Sequence, residues 1–269
     1  MDLGLENIHV LITGASGGIG LETAEVFYEQ GAIVTAHYNT NVKPLENFVS
    51  SRSQTIKADL TKEEEVIQLF ESAEKLYGPV QILVINHAIY TAETNYLWDM
   101  SLDQWRCTID SNLTSSFLVA REYMRHLKKM SVDLKDDASV ILIGSTAGKY
   151  GEAGHADYAS SKSAMMYGLT MTLKNEIVKI APKARVNCIG PGWVKTPMAT
   201  ESLKDPNVTY AALVTTPLKK VAMPGDIANQ VVILSSNKIS GHVTGQVLMV
   251  EGGMEGRLLN KPEDLGITF

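Results

Sequence analysis

Strand-like and helix-like stretches alternate along the whole chain. That predicts an α/β fold: a doubly wound parallel sheet with helices on both faces. Two observations support this expectation. Residues 8–12 form a short apolar run that ends in a glycine-rich turn and passes straight into a segment of helical spacing. Similar short runs then recur to residue 250, each set apart by a stretch long enough for a helix. The 269 residues contain no Pro/Gly/Ser-rich linker, low-complexity tract or internal repeat, so a single domain over 1–269 is expected.

Residues 8–12 read as a buried parallel strand, because apolar side chains occupy successive positions on both faces. In 21–30, Leu21, Ala24, Val26, Phe27 and Tyr28 make the apolar face of a helix that Gly31 closes. Residues 33–36 are the second strand and 42–50 the next helix. A third strand over 55–58 leads to Thr61-Lys-Glu-Glu-Glu65, whose acids suit the first turn of a helix. Residues 81–85 are a fourth strand, 101–129 a long helical region, and the polar run 131–137 a loop. Strand five spans 139–143, and one helix covers 158–180 with Ala, Met and Leu on its apolar face. Strand six covers 185–189, 197–222 is irregular, 226–235 is helical and 246–250 is the last strand.

Two motifs bear on chemistry. Gly14, Gly18 and Gly20 lie in the spacing G-x-x-x-G-x-G between the first strand and its helix. Gly14 permits the turn, Gly18 lets the backbone approach a pyrophosphate, and Gly20 allows close helix–sheet packing, with helix N–H groups aimed at the phosphates. Tyr158 and Lys162 stand four apart, on one helix face, with Ser145 thirteen residues before the tyrosine. A phenol beside an ammonium is a proton-transfer device, and the positive charge should lower the tyrosine pKa. Together the motifs point to hydride chemistry on a carbonyl or alcohol. Both fall at the carboxyl ends of strands, where open α/β sheets bind ligands.

The formal net charge of -6 counts against a nucleic-acid partner. No apolar run approaches the ~18 residues of a membrane span. The first residues carry two acids and no basic stretch, so no signal peptide and a cytoplasmic location are expected. Cys107 and Cys188 read as reduced core thiols, and no metal site is expected.

Thr13-Gly-Ala-Ser-Gly-Gly-Ile-Gly20, Asn86, Asn112, Ser145, Tyr158-Ala-Ser-Ser-Lys162 and Pro191-Gly192 occur in the order and spacing of the short-chain dehydrogenase/reductase family. From about residue 5 to 253 the chain resembles that family. The resemblance implies a single Rossmann domain with a seven-stranded parallel sheet, assembled as a homotetramer or homodimer. It also implies a catalytic set of Asn112, Ser145, Tyr158 and Lys162. Tyr158 would be general acid or base, and Ser145 would polarise the substrate oxygen. Lys162 would hold the nicotinamide ribose and lower the tyrosine pKa. Asn112 would hold a water that links Lys162 to solvent. The implied cofactor-binding set also includes Gly14, Ser16, Gly17, Gly18, Ile19, Gly20, Tyr38, Asn39 and Thr40. Asp59 and Leu60 would serve the adenine, with a helix-cap reading of Asp59 left open. Asn86 and Ala88 follow, in an Ile-Asn-His-Ala run that departs from the family's Asn-Asn-Ala-Gly. His87 is either structural or lines the cofactor site. Pro191, Gly192, Val194 and Thr196 would hold the carboxamide. Enoyl-thioester reductases of similar fold have a longer Tyr-to-Lys gap, so the gap of four favours carbonyl or alcohol chemistry.

Residues 35–41 contain no Asp or Glu to repel a 2′-phosphate, so NADP(H) is favoured over NAD(H). Ser16, His37, Asn39, Thr40 and Lys43 are the candidates to hold that phosphate. Substrate walls are expected from Tyr90, Tyr96, Trp98, Tyr150, His155, Trp193 and Met198, with Trp193 either on the wall or packed at the surface. These suit a neutral ketone, secondary alcohol or acyl-type substrate, under a lid formed by 197–222. An NAD-dependent alcohol or polyol dehydrogenase and a non-catalytic cofactor-binding regulator are the competing readings.

Overall fold

A computed structural model describes residues 2–266. Seven strands form one all-parallel sheet: β1 (His9–Ile12), β2 (Ile33–Tyr38), β3 (Ser53–Lys57), β4 (Ile82–Ile85), β5 (Ser139–Ile143), β6 (Arg185–Pro191) and β7 (Val247–Val250). Their order is β3-β2-β1-β4-β5-β6-β7. The helices are α1 (Gly18–Glu29), α2 (Glu63–Tyr77), α3 (Leu102–Ile109), α4 (Ser115–Lys129), α5 (Val132–Lys135) and α6 (Thr146–Tyr150), then α7 (Ala156–Ser163), α8 (Thr170–Ile177), α9 (Pro197–Thr200), α10 (Pro206–Leu213), α11 (Pro224–Ser235) and α12 (Asn237–Ser240).

Every residue of β1, β4 and β5 is buried, which requires cover on both faces of the sheet. Alternate side chains of one strand supply the two cores. Val10 and Ile12 of β1 pack with Ala24 and Phe27 of α1 and with Ile227 and Val231 of α11. Leu11 points the other way, into a core with Leu69 and Phe70 of α2 and Tyr123 and Leu127 of α4. Each fully buried Val, Leu, Ile or Phe among these contributes about 1.5–3 kcal/mol. The chain winds outward from β1 to β3, then crosses back to place β4 on the other side of β1. Between β1 and β4 the direction of winding reverses, and the crevice opens there, at the carboxyl ends.

Several elements differ from expectation. No helix forms over 42–50. The Asn41 side chain accepts from Lys43 N (3.2 Å), Pro44 follows, and a single tight turn over Lys43–Leu45 buries only Leu45. One buried residue gives a helix there no apolar face to offset nucleation. The polar stretch 131–137 contains the short helix α5, which buries nothing. Residues 197–222 hold α9 and α10. β2 continues to Tyr38 and β6 to Pro191. The two long helices are each interrupted by a π-type turn, Asp110–Thr114 and Ala164–Leu169. Cys188 is buried as expected, but Cys107 is exposed on the solvent side of α3. Among the described residues no helix is long and apolar enough to cross a membrane, and no cluster of His, Cys, Asp or Glu is placed to hold a metal ion.

Candidate active site

A crevice of about 480 Å³ runs over the carboxyl ends of the central strands. Of the residues nominated from sequence as catalytic or cofactor-binding, all line it except Gly20, Tyr38, Lys43 and Asn112. Gly20 lies beneath, where a Cβ would stand 2.3 Å from Gly14 O. Tyr38 packs toward the core that α1 covers.

The turn after β1 is open by construction. Gly14 has φ 63°, and a Cβ there would meet His87 Cα at 2.8 Å. α1 begins with no side-chain cap and no acid in its first turn, so its leading N–H groups face the crevice. An uncapped helix N-terminus beside a glycine turn fits the diphosphate of a dinucleotide.

Two buried histidines hold this turn from below. His37 Nδ1 accepts from Gly14 N (3.0 Å), so its Nε2 carries the proton and donates to Ala58 O (2.9 Å). Burial pushes its pKa down to about 4. His87 joins Thr13 Oγ1 through Nδ1 (2.8 Å) and Ser115 Oγ through Nε2 (2.7 Å). Burial holds it well below the usual range, with His37 and Lys162 adding to the effect. Ser115 spends its own proton on Ser111 O, so Nε2 of His87 is the donor. Both histidines are neutral struts. The expectation that His37 offers a hydrogen bond to a phosphate is therefore corrected, since both ring nitrogens are engaged. At this end the wall consists of Asn39, Thr40, Asn41, Pro44, Asp59 and Leu60, and exposed Lys43 is not part of it. Asp59 Oδ1 accepts from Thr61 N (3.1 Å) and Thr61 Oγ1 (2.7 Å), closing a local turn ahead of α2, whose cap position is Lys62 and carries no side-chain cap, so the helix-cap reading of Asp59 is not met. That hydrogen bond from the Thr61 hydroxyl lowers its pKa.

At the other end β5 delivers Ser145, and α7 delivers Tyr158 and Lys162. Ser145 caps α6 by accepting from Ala147 N (3.1 Å), and its hydroxyl stands on the same crevice wall as the Tyr158 phenol, near enough to lower its pKa. Burial pushes the phenol up to about 12, against the opposing pull of the Ser145 hydroxyl. Lys162 is buried, donates from Nζ to Ile143 O (2.8 Å), and is pushed down to about 8 by burial. The expected lowering of the tyrosine pKa by Lys162 is corrected. The lysine is turned toward a backbone carbonyl, and desolvation of the phenol dominates.

Asn112 lies in the π-type turn between α3 and α4. Its Oδ1 accepts from Ile89 N (2.8 Å), and Nδ2 donates to Ile89 O (3.0 Å) and to Ser161 Oγ (3.3 Å). Both amide protons are engaged, so its visible work is to clamp residue 89 against α7. The extra residue of a π-type turn turns this side chain inward.

The expected aromatic wall is only partly there. Tyr90 lines the crevice, edge-on to Tyr158 at 5.0 Å and stacked on His155 at 4.8 Å. Trp193 and Met198 also line it. Tyr96 and Trp98 instead stack on each other in an exposed loop, and the Tyr150 hydroxyl donates to Met254 O. Glu152 and Arg257, joined at 3.3 Å, line the wall and were not foreseen. They lie 105 residues apart in sequence, and no local pattern marks either.

A family model described as enoyl-(acyl carrier protein) reductase matches residues 14–255. The chain belongs to the short-chain dehydrogenase/reductase family. It is 31% identical to the 3-oxoacyl-[acyl-carrier-protein] reductase of Vibrio cholerae, over 94% of this chain and 99% of that one. Nodulation protein G of a Rhizobium species is 33% identical, over 91% and 95% respectively. Among solved structures, a short-chain dehydrogenase/reductase of Brucella melitensis titled glucose/ribitol dehydrogenase superposes with a TM-score of 0.83. It is 32% identical and covers 94% of this chain and 99% of that one. The family, the parallel sheet and the oxidoreductase class expected from the motifs are borne out.

Proposed function

We propose that this chain, acting as one domain over 1–269, is an NADP(H)-dependent ketoreductase. It would reduce a 3-oxoacyl thioester or a related ketone to the secondary alcohol. The observation that carries this reading is the Ser145–Tyr158 hydroxyl pair, set above buried Lys162 and facing the same crevice as the uncapped start of α1.

When bound, the nicotinamide supplies the hydride that goes to the carbonyl carbon. Tyr158, protonated through the neutral range, gives its proton to the carbonyl oxygen. Ser145 donates to the same oxygen and stabilises the charge that develops there. Lys162 supplies a positive charge beneath the phenol and reaches the ribose hydroxyls. Asn112 holds residue 89 in place as a positioning residue. Gly14, Gly17, Gly18 and Ile19 take the diphosphate. Ser16, Asn39 and Thr40 take the 2′-phosphate by neutral hydrogen bonds, in a segment without a repelling acid. The family model's description gives an enoyl substrate and the name of the Vibrio cholerae relative a 3-oxoacyl one, and the Tyr-to-Lys gap of four supports the latter.

The test is consumption of NADPH and NADH against 3-oxoacyl thioesters, 2-enoyl thioesters, simple ketones and polyols. Preferred turnover of a ketone substrate with NADPH is expected. Tyr158→Phe should lower kcat about 10²–10⁴-fold with cofactor affinity nearly unchanged. Reduction of the enoyl substrate alone, or equal turnover in that variant, would overturn the reading.

A further inference from the structure

Arg257 reaches the catalytic end of the crevice from beyond the family match, which stops at residue 255. Its position is built. The stretch after β7 is pinned by Tyr150, whose hydroxyl donates to Met254 O (2.6 Å). Thr215 pins it again: its carbonyl accepts from Glu255 N (3.2 Å), and its hydroxyl donates to Gly256 O (2.7 Å). From there the guanidinium turns inward, with Nε donating to Gly151 O (3.1 Å) and Nη2 to Glu152 Oε2 (3.3 Å). The side chains of Arg257 and Glu152 are only 20% and 16% exposed. Among the described residues, Nη1 of Arg257 has no acceptor and Oε1 of Glu152 no donor.

We propose that Arg257 is a substrate-binding residue. Its free Nη1 donates to a second oxygen of the substrate, the acyl carbonyl of a 3-oxoacyl thioester, while Tyr158 and Ser145 address the first. This rests on the ketoreductase reading above. A guanidinium is charged at every working pH and presents its donors in a rigid plane. A simple ketone would leave its open edge against carbon, at the cost of an unmade hydrogen bond. Glu152 sets the charge of the acceptor. The pair is neutral as a unit, so an anionic tail is repelled by Glu152 and must compete with it for the guanidinium. A neutral carbonyl accepts from Nη1 and leaves the pair intact. Both charges also stand close enough to Tyr158 to act on its phenol, with opposite signs, which places them at the reacting end.

The test is kcat/KM for a 3-oxoacyl N-acetylcysteamine thioester, the corresponding 3-oxo acid and a monoketone of equal length, in the full-length enzyme. Arg257→Met should lower the thioester-to-monoketone ratio about 10- to 100-fold. Arg257→Lys should recover part of it, since an ammonium donates but lacks the fork. Glu152→Gln should raise the ratio of 3-oxo acid to thioester about 3- to 10-fold by removing the like charge. Cofactor binding, read by fluorescence, reports that each variant is folded; if Arg257→Met is not, the other two variants decide. A thioester-to-monoketone ratio unchanged in the arginine variants overturns the assignment and leaves the ketoreductase reading standing. A wild-type enzyme that reduces the monoketone but not the thioester overturns the assignment and restricts the ketoreductase reading to simple ketones; one that reduces neither overturns both.

Discussion

Lys162 donates its ammonium to the carbonyl oxygen of Ile143, 2.8 Å away, and its Nζ stands 5.8 Å from the centre of the Tyr158 ring. The two groups are therefore perturbed by burial in opposite directions, the lysine down to about 8 and the tyrosine up to about 12. Each is driven toward its neutral form, and at neutral pH the tyrosine keeps its proton. The site is thus set as an acid, the state that ketone reduction needs.

The pH dependence follows from these values. Carbonyl reduction should be flat from about pH 6 to 7, reach about half its value near pH 8 and fall above, as Lys162 loses its charge with an apparent pKa of about 8. Alcohol oxidation should rise with pH across the same range, because it needs the phenolate. Steady-state kcat/KM in both directions checks this, and a reduction limb that stays flat to pH 10 would remove Lys162 from its role.

Lys162 also costs stability. Its folded pKa lies below the unfolded value of 10.5, so its contribution to stability rises with pH between about 8 and 10.5 and is unfavourable below that window. Lys162→Met should stabilise the fold by about 1–3 kcal/mol at pH 7 while lowering turnover at least about 10²-fold. Chemical denaturation at pH 7 and pH 9 measures it. The advantage of the variant should shrink by about 1 kcal/mol at the higher pH.

His37 has the same sign with an earlier window. Its pKa falls from 6.5 to about 4 on folding, so the stability it contributes is complete above 6.5 and is lost as pH falls toward 4. The loss should approach about 3 kcal/mol from this residue alone. His37→Gln keeps a donor and an acceptor without the titration, and thermal melts from pH 4 to 7 should show a flatter curve for it.

Asn39 lies on the crevice wall, in a segment that contains no acid. Asn39→Asp should lower kcat/KM for NADPH about 10- to 100-fold and that for NADH far less, because a carboxylate repels the 2′-phosphate. Lys43 is exposed and off the wall, so Lys43→Ala should change the NADPH value only about two- to threefold. Competition between the two cofactors at fixed substrate reads both.

Much of the site was legible because it is written in short spacings. A glycine turn between strand and helix, and a Tyr–Lys pair one helical turn apart, need only local geometry to be recognised. The sheet was legible for a similar reason, since residues buried on both faces leave unbroken apolar runs such as Ile82–Ile85. The helix expected over 42–50 failed because apolar content alone is not an amphipathic face. The π-type turns at 110–114 and 164–169 were hidden because their single extra residue hardly alters the helical period.

Local spacing, read with the family resemblance, was enough to name most of the residues that the crevice gathers, though not Glu152 or Arg257. What the neighbours of each group would be had to wait for the tertiary structure. Whether Lys162 faced the phenol or a backbone carbonyl, whether His37 was a ligand or a strut, and whether Arg257 met Glu152 all depend on contacts between distant segments. Burial then set the charge state of each, because a pKa responds to the surroundings a side chain acquires on folding, and sequence spacing alone does not reveal them.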